Sequence, residues 1–118
     1  MVMTAGPLRV DVVERDRPSV TLRLAGDLAF DTSAQLLRAA ERLLAEGYCR
    51  LRIDLAALRL CDSSGLSALI EVHHAARDAG GWMRPVGPSR PLLGLFARTG
   101  LDRVFLLDGT PVGDRATG

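Results

Sequence analysis

The segment of this chain best equipped for chemistry is Asp62-Ser63-Ser64-Gly65, where a carboxylate and two hydroxyls sit between a strand pattern and a helix pattern. A helix start carries backbone N–H groups that find no partner within the helix, and these attract negative charge. A phosphate added to a serine at such a point is held by the helix end rather than expelled. The chemistry this implies is a reversible change of charge at an exposed hydroxyl, suited to a signalling part more than to an enzyme. A competing reading makes Ser63 a plain helix N-cap, because serine before an apolar helix is a common start signal. The two are compatible, since an exposed anion at a helix N-terminus gains about 0.3–1 kcal/mol from the helix dipole. Ser64 reads as a second capping hydroxyl, and Gly65 as a place where the sheet or a partner approaches closely.

Other chemistries fit the spacing poorly. His73 and His74 are neighbours on a helix and point about 100° apart, so they do not share one metal ion. His73 lies ten residues beyond Ser63, on the order of 15 Å along a helix axis. A nucleophilic triad of Asp62, His73 and Ser63 would need contacts of about 3 Å. Cys49 and Cys61 have no CxxC spacing, and Cys61 reads as a buried free thiol. No cofactor or metal site is expected.

Alternating runs supply the elements that hold these residues. Leu8, Val10 and Val12 alternate with polar residues, as do Val20, Leu22 and Leu24, giving two strands joined at Glu14-Arg15-Asp16-Arg17-Pro18. Thr32-Ser33-Ala34-Gln35 predicts a capping box ahead of a helix carrying Leu36, Ala40, Leu43 and Leu44, which Gly47 ends. Leu51, Ile53 and Leu55 predict a third strand. Leu66, Leu69, Ile70 and His73 share one face of the next helix, ended by Gly80-Gly81. Trp82 to Val86 predicts a short strand that, because of Pro85, lies at an edge or bends early. Ser89 caps a third helix, with Leu92, Leu95 and Phe96 inside and Gly100 beyond its end. Val104 to Leu107 predicts a last strand.

The order predicts one α/β domain over residues 1–108, with residues 109–118 as a flexible tail. The sheet is mixed and mostly parallel, of four to five strands with three to four helices. The loops at residues 26–32 and 56–64 then leave the same carboxyl edge, the edge that open α/β sheets use for recognition. Asp27, Asp31, Asp62 and Ser63 are expected to share that surface.

Composition narrows the partners. The 118 residues suffice to bury one core, and 47% are apolar, the ordinary globular range. Fifteen basic residues against fourteen acidic leave a net charge of +1 with no basic stripe, which argues against nucleic acid. No apolar stretch reaches the ~20 residues that cross a bilayer. The opening Met1-Val2-Met3-Thr4-Ala5-Gly6-Pro7 does not resemble a signal peptide. A reduced, cytoplasmic protein is expected.

With these residues in place, the chain resembles the STAS superfamily, and within it the anti-sigma factor antagonists. The likeness runs from about Val20 to Leu107. It is carried by Gly26-Asp27-Leu28, Asp62-Ser63-Ser64-Gly65-Leu66, Gly80-Gly81, Val86-Gly87-Pro88-Ser89 and Leu95-Phe96-Ala97-Arg98-Thr99-Gly100-Leu101, in that order. The resemblance implies that Ser63 is phosphorylated by an anti-sigma factor that is itself a serine kinase. It implies that the unphosphorylated form grips that kinase and frees a sigma factor, and that a PP2C-type phosphatase resets the switch. It further implies a partner surface of Asp27, Asp31, Asp62, Ser63, Ser64, Gly65 and Ser67, and a monomer when free. One departure is Ala29, which stands where such proteins commonly carry an aspartate. That departure supports an alternative, a STAS subunit or scaffold that never switches, for example of a lipid-transport complex.

Overall fold

The hairpin that opens the fold follows from the first alternating runs, but it is longer than they predict. In the computed structural model, which describes residues 7–107, β1 spans Leu8–Asp16 and β2 spans Ser19–Leu28. The turn is therefore confined to Arg17 and Pro18. The chain continues through α1 (Ser33–Ala45), β3 (Arg50–Cys61), α2 (Ser63–Asp78), β4 (Trp82–Val86), α3 (Arg90–Thr99) and α4 (Leu101–Leu107). Strand order is β1-β2-β3-β4, with β1 antiparallel to β2 and the remaining pairs parallel. The predicted mixed, mostly parallel sheet is thus present, with four strands and four helices among the described residues. β4, with Pro85, lies at the edge, the first of the two outcomes that the proline allows. The tail expected at 109–118 lies outside the described residues.

Period-two alternation decides which face of the sheet is covered. Leu22 and Leu24 of β2, Leu51, Ile53 and Leu55 of β3, and Met83 of β4 are fully buried. They form one cluster with Leu36, Ala40 and Leu43 of α1, Ala68, Leu69 and Val72 of α2, Phe96 of α3 and Phe105 of α4. Each of these side chains has lost nearly all of its contact with water, and burial of this kind supplies the main stabilising term, roughly 25 cal/mol per Å² of apolar surface. The alternate positions make the opposite, open face. There Arg23 pairs with Asp54 at 3.3 Å. The guanidinium carbons of Arg84 and Arg52 lie 4.3 and 5.6 Å from the centre of the Trp82 ring.

Two expectations are corrected. Val104–Leu107 is not a strand but part of α4, which follows α3 after Gly100 turns the chain at φ +79. The i, i+4 pair Leu101 and Phe105 is buried, and Phe105 meets Phe96 edge-on at 5.3 Å. Helical spacing therefore buries the apolar run better than a fifth strand would. Residues 56–61 are also not a loop, because β3 runs on to Cys61. Two register shifts against β2 place an extra β3 residue before Ala57 and another before Leu60. Such bulges break the inside–outside alternation that marks a strand in sequence and re-aim side chains near its end.

Candidate functional site

The two helix starts at the carboxyl edge of the sheet are built differently. Thr32 is the residue before α1, but its side chain does not cap that helix. Its hydroxyl instead donates to the Asp27 carbonyl at 2.7 Å and accepts the Ala29 N–H at 2.9 Å. Gln35 donates through Nε2 to the Leu8 carbonyl at 3.1 Å. The predicted capping box is therefore absent. Thr32 is buried, and closing the short β2–α1 connection takes up its hydroxyl.

Asp62 does the capping at α2. Its Oδ1 accepts the Gly65 N–H at 2.9 Å, and its carbonyl accepts the first intrahelical bond, from Leu66, at 2.9 Å. The plain-cap reading of Ser63 is thus corrected, since Ser63 is the first helical residue and the cap lies one position earlier. Asp62 has a second task. Its Oδ2 accepts the Phe30 N–H at 3.3 Å, and its own N–H donates to the Leu28 carbonyl at 3.3 Å. One carboxylate therefore ties the loop after β2 to the start of α2.

This leaves Ser63 exposed at the helix start, with Ser64 half-buried beside it and Ser67 exposed one turn on. Gly65 is buried, and the question of which side needs its smallness is answered. A Cβ there would run into the Leu28 carbonyl and come to 3.0 Å from the Cys61 sulfur. The demand comes from the sheet beneath. A partner would therefore meet Gly65 only at its edge.

Of the carboxylates expected on one exposed surface, Asp31 is exposed and Asp62 half-buried, but Asp27 is not on it. Asp27 is 5% exposed, and its Oδ1 takes the Nε of Arg59 at 3.0 Å and a terminal nitrogen at 3.0 Å. A buried charge persists when it is paired in this way. Arg59 reaches it because the second β3 bulge sets that residue beside the β2 end. Cys61 is half-buried, and burial pushes its thiol up to about 11, with the Asp62 charge adding to the rise. It is therefore a protonated, unreactive thiol near neutral pH. His73 is 2% exposed and stacks edge-on against Phe105 at 5.9 Å, in the core.

Sequence reasoning missed Phe30. It is 81% exposed, more than any other large hydrophobic side chain among the described residues, and its backbone N–H is the one that Asp62 accepts.

The domain family described as "Mlab, STAS domain" matches residues 12–108, most of the chain. The chain belongs to the STAS domain family. Solved structures of similar fold include the anti-sigma factor antagonist SpoIIAA in its unphosphorylated form. SpoIIAA is 21% identical, with 80% of this chain and 82% of that one covered and a TM-score of 0.67. Bacillus SpoIIAA in the phosphorylated form gives 21% identity, coverage of 81% and 86%, and a TM-score of 0.64. An anti-sigma factor antagonist from Mycobacterium paratuberculosis gives 24%, coverage of 86% and 87%, and a TM-score of 0.67. At such identities the likeness establishes the STAS fold. No curated protein matches the chain. No helix among the described residues is long and apolar enough to cross a membrane.

Proposed function

We propose that this STAS domain is an anti-sigma factor antagonist, a regulator rather than an enzyme, switched by phosphorylation of Ser63. The observation that carries the reading is Ser63 itself, exposed at the first position of α2 with the cap supplied by Asp62. A hydroxyl in that position is free to be modified without removing the bond that starts the helix. The partner is a cytoplasmic serine-kinase anti-sigma factor. Ser63 Oγ attacks the γ-phosphorus of ATP held by that partner, the bond to the β-phosphate oxygen breaks, and ADP leaves. The hydroxyl proton passes to a base of the kinase, and a PP2C-type phosphatase later returns the serine by hydrolysis.

The phosphate adds about 1.5 to 2 negative charges. It adds them beside Asp62, on the rim that also shows Asp31. Charge repulsion and lost packing at the partner surface need to total only about 2.8 kcal/mol to weaken the complex a hundredfold. Asp31 is exposed in the same loop as Ala29, two residues beyond the position of the usual aspartate.

Purified protein incubated with each serine-kinase anti-sigma factor of its host and labelled ATP should take up label. Ser63→Ala should take up none, and Ser63→Glu should no longer bind the kinase. Label persisting on the alanine variant, or none with any such kinase, would overturn the proposal.

A second reading keeps the domain and removes the switch. Ala29, 4% exposed, offers no carboxylate where one is usual, and the matching family is that of the Mlab STAS domain. The chain would then be a fixed subunit of a lipid-transport complex. Affinity capture that recovers membrane-transport subunits, with no anti-sigma factor, would favour it.

A further inference from the structure

Phe30 sits at the tip of a connection that has little freedom. The Thr32 hydroxyl bridges the Asp27 carbonyl and the Ala29 N–H, and the Thr32 and Ser33 N–H groups both donate to the Ala29 carbonyl at 3.1 and 2.8 Å. Asp62 then fixes the Phe30 backbone from the α2 side. The outcome is a benzyl group 81% exposed on a closed, internally bonded turn. An apolar ring in water forgoes roughly 1.5–3 kcal/mol of burial. Held in one place beforehand, it would lose little conformational freedom on binding.

Its neighbours indicate what would cover it. Asp31 follows it and is exposed, and the Phe30 backbone N–H donates to the Asp62 carboxylate. On the same end of β3, Leu60 is 47% exposed. Leu60 lines a cavity of about 200 Å³ with Leu58, Arg59, Cys61, Ser89 and the α3 residues Pro91, Leu92 and Leu95, open because β4 pairs only with Arg50–Asp54 and ends short of it. The surface is thus an aromatic knob flanked by the carboxylates of Asp31 and Asp62, with a mainly apolar hollow nearby whose one charged lining residue, Arg59, is paired with Asp27. It is complementary to a protein surface with a hydrophobic pocket whose mouth is basic. Central aromatic residues of this kind carry most of the binding energy in many interfaces.

We infer that Phe30 is the principal apolar anchor of this protein, seated in a hydrophobic, basic-rimmed pocket of its anti-sigma partner. The inference rests on the proposed function, since the partner is the one named there. It accounts for Ala29 in a new way, because adhesion here comes from the aromatic ring rather than from an aspartate at that position. The charges of Asp31 and Asp62 orient the approach and contribute less, as exposed rim charges do.

Titration calorimetry of the full chain against the kinase-type anti-sigma factor that it binds tests this. Phe30→Ala should raise Kd at least tenfold with Tm unchanged, because the side chain touches little of its own domain. Phe30→Leu should recover most of that loss, and Asp31→Asn should cost less than Phe30→Ala. If Phe30→Ala binds as the parent does while Ser63→Glu releases the kinase, the anchor is wrong and the proposed function stands. An Asp31→Asn loss larger than that of Phe30→Ala would also overturn it. If the parent binds no serine-kinase anti-sigma factor, the proposed function fails and the anchor falls with it.

Discussion

Two helices leave the same edge of one sheet, and they start in opposite ways. At α1 the hydroxyl of Thr32 is turned inward, buried, and committed to closing its own loop. At α2 the carboxylate of Asp62 satisfies the helix and the neighbouring loop together, which leaves Ser63 facing water. The contrast shows how a domain separates a side chain committed to its own backbone from one left accessible. Where a side chain is needed to hold the backbone, it is hidden from partners. Where one residue holds two elements, the next is left facing solvent.

The sharpest way to break this comparison is at the close approach beneath α2. Gly65→Ala puts a methyl group against the Leu28 carbonyl, which cannot swing aside as a flexible side chain would. Urea denaturation should show a loss of about 2–4 kcal/mol. A loss under about 0.5 kcal/mol would mean that α2 is not seated as described. Thr32→Val keeps the shape but leaves the Asp27 carbonyl and Ala29 N–H without the hydroxyl they share. The expected cost is about 2 kcal/mol in the same assay, since buried polar groups would lose their partner. Were Thr32 a simple helix cap, Thr32→Asp would be tolerated; here the buried carboxylate should destabilise further. At the small end, Ser63→Ala should shift stability by less than about 0.5 kcal/mol, even as it removes the hydroxyl proposed to accept phosphate. A large effect of Ser63→Ala would make Ser63 a supporting residue and erase the difference between the two helix starts.

Much of this architecture was legible where one local rule acted alone. Val20, Leu22 and Leu24 alternate because one face of β2 is covered and the other is not. Ser89 does accept the Leu92 N–H, as its place before an apolar run requires. The misreadings came where two rules overlapped. Asp62 and Ser63 are both good caps, and spacing does not say which one bonds Gly65. The run Val104–Leu107 is too short for its period to separate strand from helix, and only the buried Leu101–Phe105 spacing decides it. Thr32 and Gln35 satisfy the capping pattern, yet tertiary partners from β1 and β2 take both side chains. Asp27 could not be placed, because its burial depends on Arg59, thirty-two residues away and shifted by a bulge. Phe30 gave no signal either, since an isolated aromatic residue is more often found inside.

Trp82 is the only tryptophan in the chain, clasped by two guanidinium groups on the uncovered side of the strands. Its partner in the ladder is Arg50, at the start of β3, whereas Asp62 follows the other end of that strand. At about 3.3 Å per residue the separation is roughly 30 Å or more. The indole therefore works as a built-in optical probe with a defined blind spot. Its emission will follow melting of the whole domain and any molecule laid across the bare strands, and will stay silent when a partner docks at the opposite end.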